Sequence, residues 1–217
     1  MNSTKVTGFK SGLDVIRVIA ISFVVAAHFF LNSDFKSTPF EGFSMFVQGM
    51  GQTLFGVNVA LFMMLTGYLN LKKKICKAYY RSGIRVIIAY VVISIITILF
   101  RVYYIGEEMG IVSWIMKVTG FTAIPYAWYI EMWIGLFLLT PFLNILWVNL
   151  ESKRNRIILI VTLFLLTAPS DFFNRYGMTL APSYWEKACF PLLFFFAGAY
   201  IKEYQPKVKK YLLGGGY

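Results

Sequence analysis

Three ionisable side chains sit in one otherwise apolar run, residues 11–31, SGLDVIRVIAISFVVAAHFFL: Asp14, Arg17 and His28. His28 is the only histidine in the chain. A neutral imidazole takes a proton from a hydroxyl near neutral pH, which makes His28 a candidate general base. A guanidinium offers a planar fork to phosphate or carboxylate, which makes Arg17 a candidate anchor for an anionic ligand. On an α-helix the step from Arg17 to His28 is about 1100° of rotation, roughly 20° beyond three full turns, with a rise of about 16.5 Å. The two side chains then share one face at very different depths, and Asp14, three residues before Arg17, lies on nearly the same face. Structural alternatives exist for both. Arg17 can snorkel to an interface or pair with Asp14, and His28 can hydrogen-bond a neighbouring helix.

Such a stripe needs an apolar setting to be costly, and the composition supplies one. The chain has 217 residues, 58% of them hydrophobic and 14% charged, against about 25% charged in soluble domains; its mean hydropathy is +0.65. Several runs reach the roughly 17–25 residues that cross a bilayer. The expected class is an all-α, polytopic transmembrane helical bundle. The net charge of +11 does not point to nucleic acid, because the basic residues cluster at the ends of apolar runs and no basic-aromatic binding module is visible. That distribution fits contact with membrane lipid headgroups. Cys76 and Cys189 form no CxxC or Cys/His cluster, so no metal site is expected and both read as packing residues.

Six spans are expected, at about 13–31, 54–71, 84–104, 126–150, 157–173 and 188–201. Ser11-Gly12-Leu13-Asp14 fits a capping box ahead of the first. Residues 32–53 read as a polar, Gly-containing loop. IVSWIMKVTGF, around Trp114, fits an interfacial or re-entrant segment, and Pro141 is expected to bend the fourth span. Lys and Arg number 2, 6, 3 and 4 in the N-terminus, the 72–85 connection, the 151–156 turn and the tail, and 1, 2 and 2 in the intervening connections. The positive-inside rule then puts both termini in the cytoplasm. It also sets Arg17 near the cytoplasmic edge and His28 near the outer one. Glu131, about five residues inside the fourth span, falls at about the depth of His28. It can orient or charge-stabilise the imidazole, or simply face a watery vestibule. The 72–85 run reads as a topogenic anchor that can also gather an anionic, phosphate-bearing substrate. Tyr126, Trp128, Tyr129 and Trp133 read as an interfacial aromatic belt, and Ser22, Asn58 and Thr66 as interhelical hydrogen-bonding residues.

Five segments together resemble the acyltransferase 3 family of integral-membrane acyltransferases. LDVIRVIAISFVVAAH is similar to that family's first-helix pattern, with ten residues between Arg17 and His28. FMMLTGYL is similar to its phenylalanine-rich segment ending in Ser-Gly-aromatic, with Thr66 in the serine place. YYRSGIRVIIAY matches the basic start of the next helix through Arg81 and Arg85, with Ala89 where proline is common. WYIEMWIGLFLLTPFL is similar to the Trp-aromatic helix ending in proline, through Trp128, Tyr129 and Pro141. FPLLFFFAGAYI carries a Gly-aromatic pattern at Gly198 and Tyr200. Order and spacing match over about residues 11–205. The resemblance implies transfer of an acyl group, most often acetyl, from acyl-CoA (acetyl-CoA) to a hydroxyl of a sugar or glycan acceptor of the cell envelope, by a multi-pass protein of the cell membrane. It implies acyl acceptance or general-base chemistry at His28 and acyl-CoA binding or orientation at Arg17. Arg81, Arg85, Trp128 and Tyr129 become the expected substrate-binding residues, and Glu131 an assistant to His28. Tyr126 stands where the family commonly has a histidine. Members usually have about ten spans, so six spans and an end, KKYLLGGGY, that looks like the start of another apolar run suggest an incomplete single domain. A transporter or flippase of an anionic or glycolipid substrate, which also uses buried Arg, His and Glu, is the competing function. A non-catalytic membrane subunit is a third.

Overall fold

The computed structural model describes residues 7–39, 41–173 and 185–206, and the regular structure among them is entirely helical. The helices are α1 (Thr7–Leu31), α2 (Gly42–Phe55), α3 (Asn58–Asn70), α4 (Lys77–Phe100), α5 (Ile111–Thr119), α6 (Trp128–Asn149), α7 (Lys153–Phe173) and α8 (Glu186–Tyr204). Among the described residues, four stretches are long and apolar enough to cross a membrane: Gly12–Leu31, Gly42–Asn70, Lys77–Ile105 and Trp128–Asn149. Helices also form where the fifth and sixth spans were expected, as α7 and α8. The end KKYLLGGGY lies outside the described residues.

Two local expectations are corrected. The 32–53 stretch is not a loop: after one 3-10 turn at Asp34–Lys36, α2 occupies Gly42–Phe55. Phe43, Phe46, Val47, Met50 and Leu54 recur at helical spacing, and glycine is tolerated in membrane helices better than in soluble ones. Ser11 does not cap α1, which already runs from Thr7. Around Pro141 α6 is continuous.

Two compact units divide the chain. The first combines Met1–Tyr68 with Phe194–Tyr217. In it α1 meets α2 through aromatic rings: Phe55 lies edge-on to Phe23 at 5.2 Å and stacks on Phe30 at 6.1 Å. Asn58 Nδ2 donates to the Phe55 carbonyl at 2.7 Å across the break between α2 and α3. Backbones approach closely where α3 crosses α8. A Cβ on Gly67 would overlap the Phe195 carbonyl, and one on Gly198 would overlap the Met64 carbonyl. The two glycines are therefore reciprocal: each vacates the space the other helix's backbone fills, as small residues do at membrane helix crossings. Lys202 Nζ sits 4.6 Å from the Tyr68 ring beside this crossing, a cation–π contact.

The second unit, Leu69–Leu193, is tied together by side chains that donate to backbone carbonyls of other segments. Pro141 has no N–H for the Phe137 carbonyl four residues back. The buried Tyr79 hydroxyl of α4 supplies the missing donor at 2.7 Å, and its ring stacks on Phe137 at 4.5 Å. Gly83, one turn on, leaves room for the Phe137 ring. The Tyr90 hydroxyl donates at 2.8 Å to the Val118 carbonyl in the last turn of α5, while its ring stacks on Phe121. Arg156 is buried, donates from Nε to the Trp147 carbonyl near the end of α6 at 3.2 Å, and lies over the Trp147 ring. Asn144 Nδ2 donates to the carbonyls of Asn70 and Lys73 at 2.8 and 2.7 Å, clipping the α3–α4 connection against α6. In hydrocarbon there is no water to serve such carbonyls, so the chain must serve them itself. Past Phe100, α4 continues as one π-helical turn, Arg101–Ile105, closed by Gly106 at φ 79°. Arg101 then grips Glu107 with two parallel bonds of 2.9 and 2.7 Å, which hold the Glu107 carboxyl below the usual carboxylate range.

The α5 helix of nine residues rises only about 13 Å, too short to cross a bilayer of about 30 Å. Ile111, Val112, Ile115 and Met116 line its exposed face.

Candidate functional site

Because α1 is unbroken for 25 residues, Arg17 and His28 share a face with about 16.5 Å between them along the axis. The inward side of α1 carries buried Ala20 and Phe30 and half-buried Phe23, Val24 and Ala27, and the half-buried His28 lies at its edge. Val15, Val18, Ile21, Val25 and Phe29 are exposed apolar residues on the rest of the helix.

His28 occupies the last turn of α1. Its backbone carbonyl is capped twice, by Asn32 N at 3.0 Å and by Asn32 Nδ2 at 2.8 Å. Phe30 is wedged between Phe35, edge-on at 5.0 Å, and Phe55. The cap and this aromatic cluster fix the end of the helix that presents the imidazole.

Arg17 pairs with Asp14 three residues earlier, with side chains 47% and 61% exposed. An exposed pair of this kind is worth about 0.2–1 kcal/mol.

The other expected site residues belong to the second unit. Trp128, Tyr129 and Glu131 share the first turn of α6, the two rings edge-to-face at 6.4 Å. Glu131 is exposed there, where a carboxylate is favoured by the helix dipole. Arg81 and Arg85 stand one turn apart on α4, both exposed. The structure therefore gathers these residues into three local groups, one on each of α1, α4 and α6.

Sequence reasoning passed over Tyr79, Asn144 and the reciprocal roles of Gly67 and Gly198. Two of them had a signal. Asn144 is an amide inside an apolar run, and Gly67 and Gly198 each fall in a segment that carries the family resemblance. Ser22, Asn58 and Thr66 differ from one another: Ser22 is exposed, Asn58 bridges α2 and α3, and the Thr66 hydroxyl donates to Phe62 of its own helix at 2.9 Å.

No curated protein and no solved structure matches the chain. A family model described as an acyltransferase domain matches residues 10–215. That range takes in the polar stripe of α1, the arginines of α4, the aromatic start of α6 and both glycines of the α3–α8 crossing. The chain is a membrane acyltransferase and belongs to the acyltransferase 3 family.

Proposed function

We propose that this protein is a multi-pass enzyme of the cell membrane that moves an acyl group, most simply acetyl, from a cytoplasmic acyl-CoA to a hydroxyl of a cell-envelope sugar or glycan. The observation that carries this reading is the continuous α1 helix, with an arginine and the only histidine on one face about 16.5 Å apart. That rise is about half the hydrocarbon thickness of a bilayer. It suits a reaction whose donor is held toward one side and whose acceptor approaches from the other.

In the proposed reaction the His28 imidazole takes the proton of the acceptor hydroxyl as its oxygen attacks the thioester carbonyl. The new O–C bond forms, the tetrahedral intermediate collapses, and the C–S bond breaks. The proton passes from the imidazolium to the departing thiolate, leaving free CoA thiol and an ester. Arg17 holds a phosphate of the donor in place of Asp14, and Arg81 and Arg85 add positive charge at the donor side. Trp128 and Tyr129 supply flat apolar faces for the sugar, and Glu131 a carboxylate in the same helical turn.

Membranes carrying the full chain, supplied with acetyl-labelled acetyl-CoA and an envelope glycan, test this directly. Label in the glycan that disappears in His28→Ala supports the reading. Unchanged transfer in that variant removes His28 from the chemistry, and movement of substrate across the membrane without covalent label indicates a transporter instead.

A further inference from the structure

The connection Leu71–Ile75 and the C-terminal half of α6 line an open cavity of about 610 Å³ that none of the catalytic roles above uses. This is within the range of about 300–1,000 Å³ typical of ligand sites. Its lining has two characters. Lys72, Lys73 and Lys74 are consecutive and exposed, while Leu71, Ile75, Pro141, Ile145 and Val148 present apolar surface. The α6 lining residues run from Pro141 to Asn149, about 12 Å of helix. Among the described residues, no carboxylate lines the cavity.

The arrangement is held in place. Asn144, itself 5% exposed, spends both bonds of its amide nitrogen on the carbonyls of Asn70 and Lys73, which keeps the lysine-bearing connection seated against α6. That connection joins the stretches Gly42–Asn70 and Lys77–Ile105, both long enough to cross a membrane. The lysines therefore stand where such helices meet the headgroups, and the apolar wall runs toward the hydrocarbon.

We propose that this cavity is a binding site for an anionic phospholipid, with the phosphate held by Lys72–Lys74 and an acyl chain against Ile145 and Val148. A zwitterionic lipid brings its own cation and loses the advantage. A free phosphate leaves the apolar wall uncovered.

The test uses the full chain in nanodiscs, with fluorescent phosphatidylglycerol or phosphatidylcholine as the probe. Retention is read by energy transfer from the chain's tryptophans. Wild type is expected to favour phosphatidylglycerol. Lys72→Gln/Lys73→Gln/Lys74→Gln is expected to weaken it about 100-fold, the product of three basic residues each worth roughly fivefold at an anionic surface. Val148→Phe, which adds bulk to the apolar wall and keeps every charge and every tryptophan donor, is expected to lose retention as well. Lys153→Gln/Arg154→Gln/Lys187→Gln removes the same charge elsewhere and is expected to bind as wild type. Equal retention of both lipids by wild type overturns the proposal, as does a triple-lysine variant no different from its charge control. Displacement of the lipid by micromolar CoA also overturns it, because the cavity is then a donor site.

Discussion

Replacing Tyr79 by Phe removes one hydroxyl and keeps the ring that stacks on Phe137 at 4.5 Å. The lost bond is the 2.7 Å donation to the Phe137 carbonyl, which Pro141 cannot replace because it has no N–H. A buried carbonyl left unpaired costs about 1–3 kcal/mol, while hydrogen bonds between membrane helices measured by double-mutant cycles average about 0.6 and reach about 1.7 kcal/mol. The proline places this bond toward the upper end, so the expected loss is about 1–2 kcal/mol. For a chain of this size, that is a fall in melting temperature of roughly 2–8 °C. The decisive measurement is a cycle with Pro141→Ala, unfolding each variant reversibly in mixed micelles. Alanine restores the N–H that the Phe137 carbonyl lacks, so Tyr79→Phe should cost little in that background and the coupling should be about 1 kcal/mol. Costs that add within about 0.3 kcal/mol would refute the idea that Tyr79 serves the carbonyl orphaned by Pro141.

Three further outcomes are expected. Gly67→Ala or Gly198→Ala should each destabilise by about 1–3 kcal/mol, because the new methyl meets a backbone carbonyl of the crossing helix. Gly135→Ala, in α6 with nothing near a Cβ, should instead stabilise by about 0.5–1 kcal/mol, and thermal unfolding of the three separates these signs. The Glu107 carboxyl is held below its usual range by Arg101, so its contribution to stability is present above the unfolded pKa and is lost as pH falls through the lower folded value. The melting-temperature gap between wild type and Glu107→Gln should accordingly be constant at neutral pH and close in acid below the ordinary carboxylate range. In acyl-transfer assays Asp14→Asn should lower the KM for acyl-CoA by up to about fivefold, the worth of the exposed pair that competes for Arg17. Arg17→Ala should raise that KM, and a KM unmoved by either change would assign the pair a purely structural role.

Much of this architecture is legible in the chain because apolar run length is a coarse signal that the bilayer itself enforces. The α1 helix and its stripe follow from Asp14, Arg17 and His28 at helical spacing, and the helices at α4, α6, α7 and α8 follow from long apolar runs between charged flanks. What stays hidden is of two kinds. In α2 the glycines at 42, 49 and 51 and the polar residues between them resemble a soluble loop, yet a membrane helix tolerates them, so the composition rule for water misleads. The second kind is partnership. Periodicity shows that Tyr79 and Tyr90 lie in a helix, but not which carbonyl each will serve, since that depends on how two distant segments meet.

The basic residues show how far those two kinds of information diverge. Lys72, Lys73, Lys74, Lys153, Arg154 and Arg156 all count equally in a topological tally of positive charge. In the folded unit they do different work. Arg156 is buried, bonded to the Trp147 carbonyl and laid over its ring, while the three lysines line a cavity beside the same helix. Asn144 binds the connection that carries the lysines, and Trp147, one turn later, receives Arg156, so both basic runs are fastened to one end of α6. A charge bias that would only orient a helix is here converted into a fixed joint by two side-chain donors and the carbonyls they satisfy. At Pro141 a carbonyl in an apolar setting must find a donor; at the basic connections side-chain donation to carbonyls, not charge, decides which segments stay together.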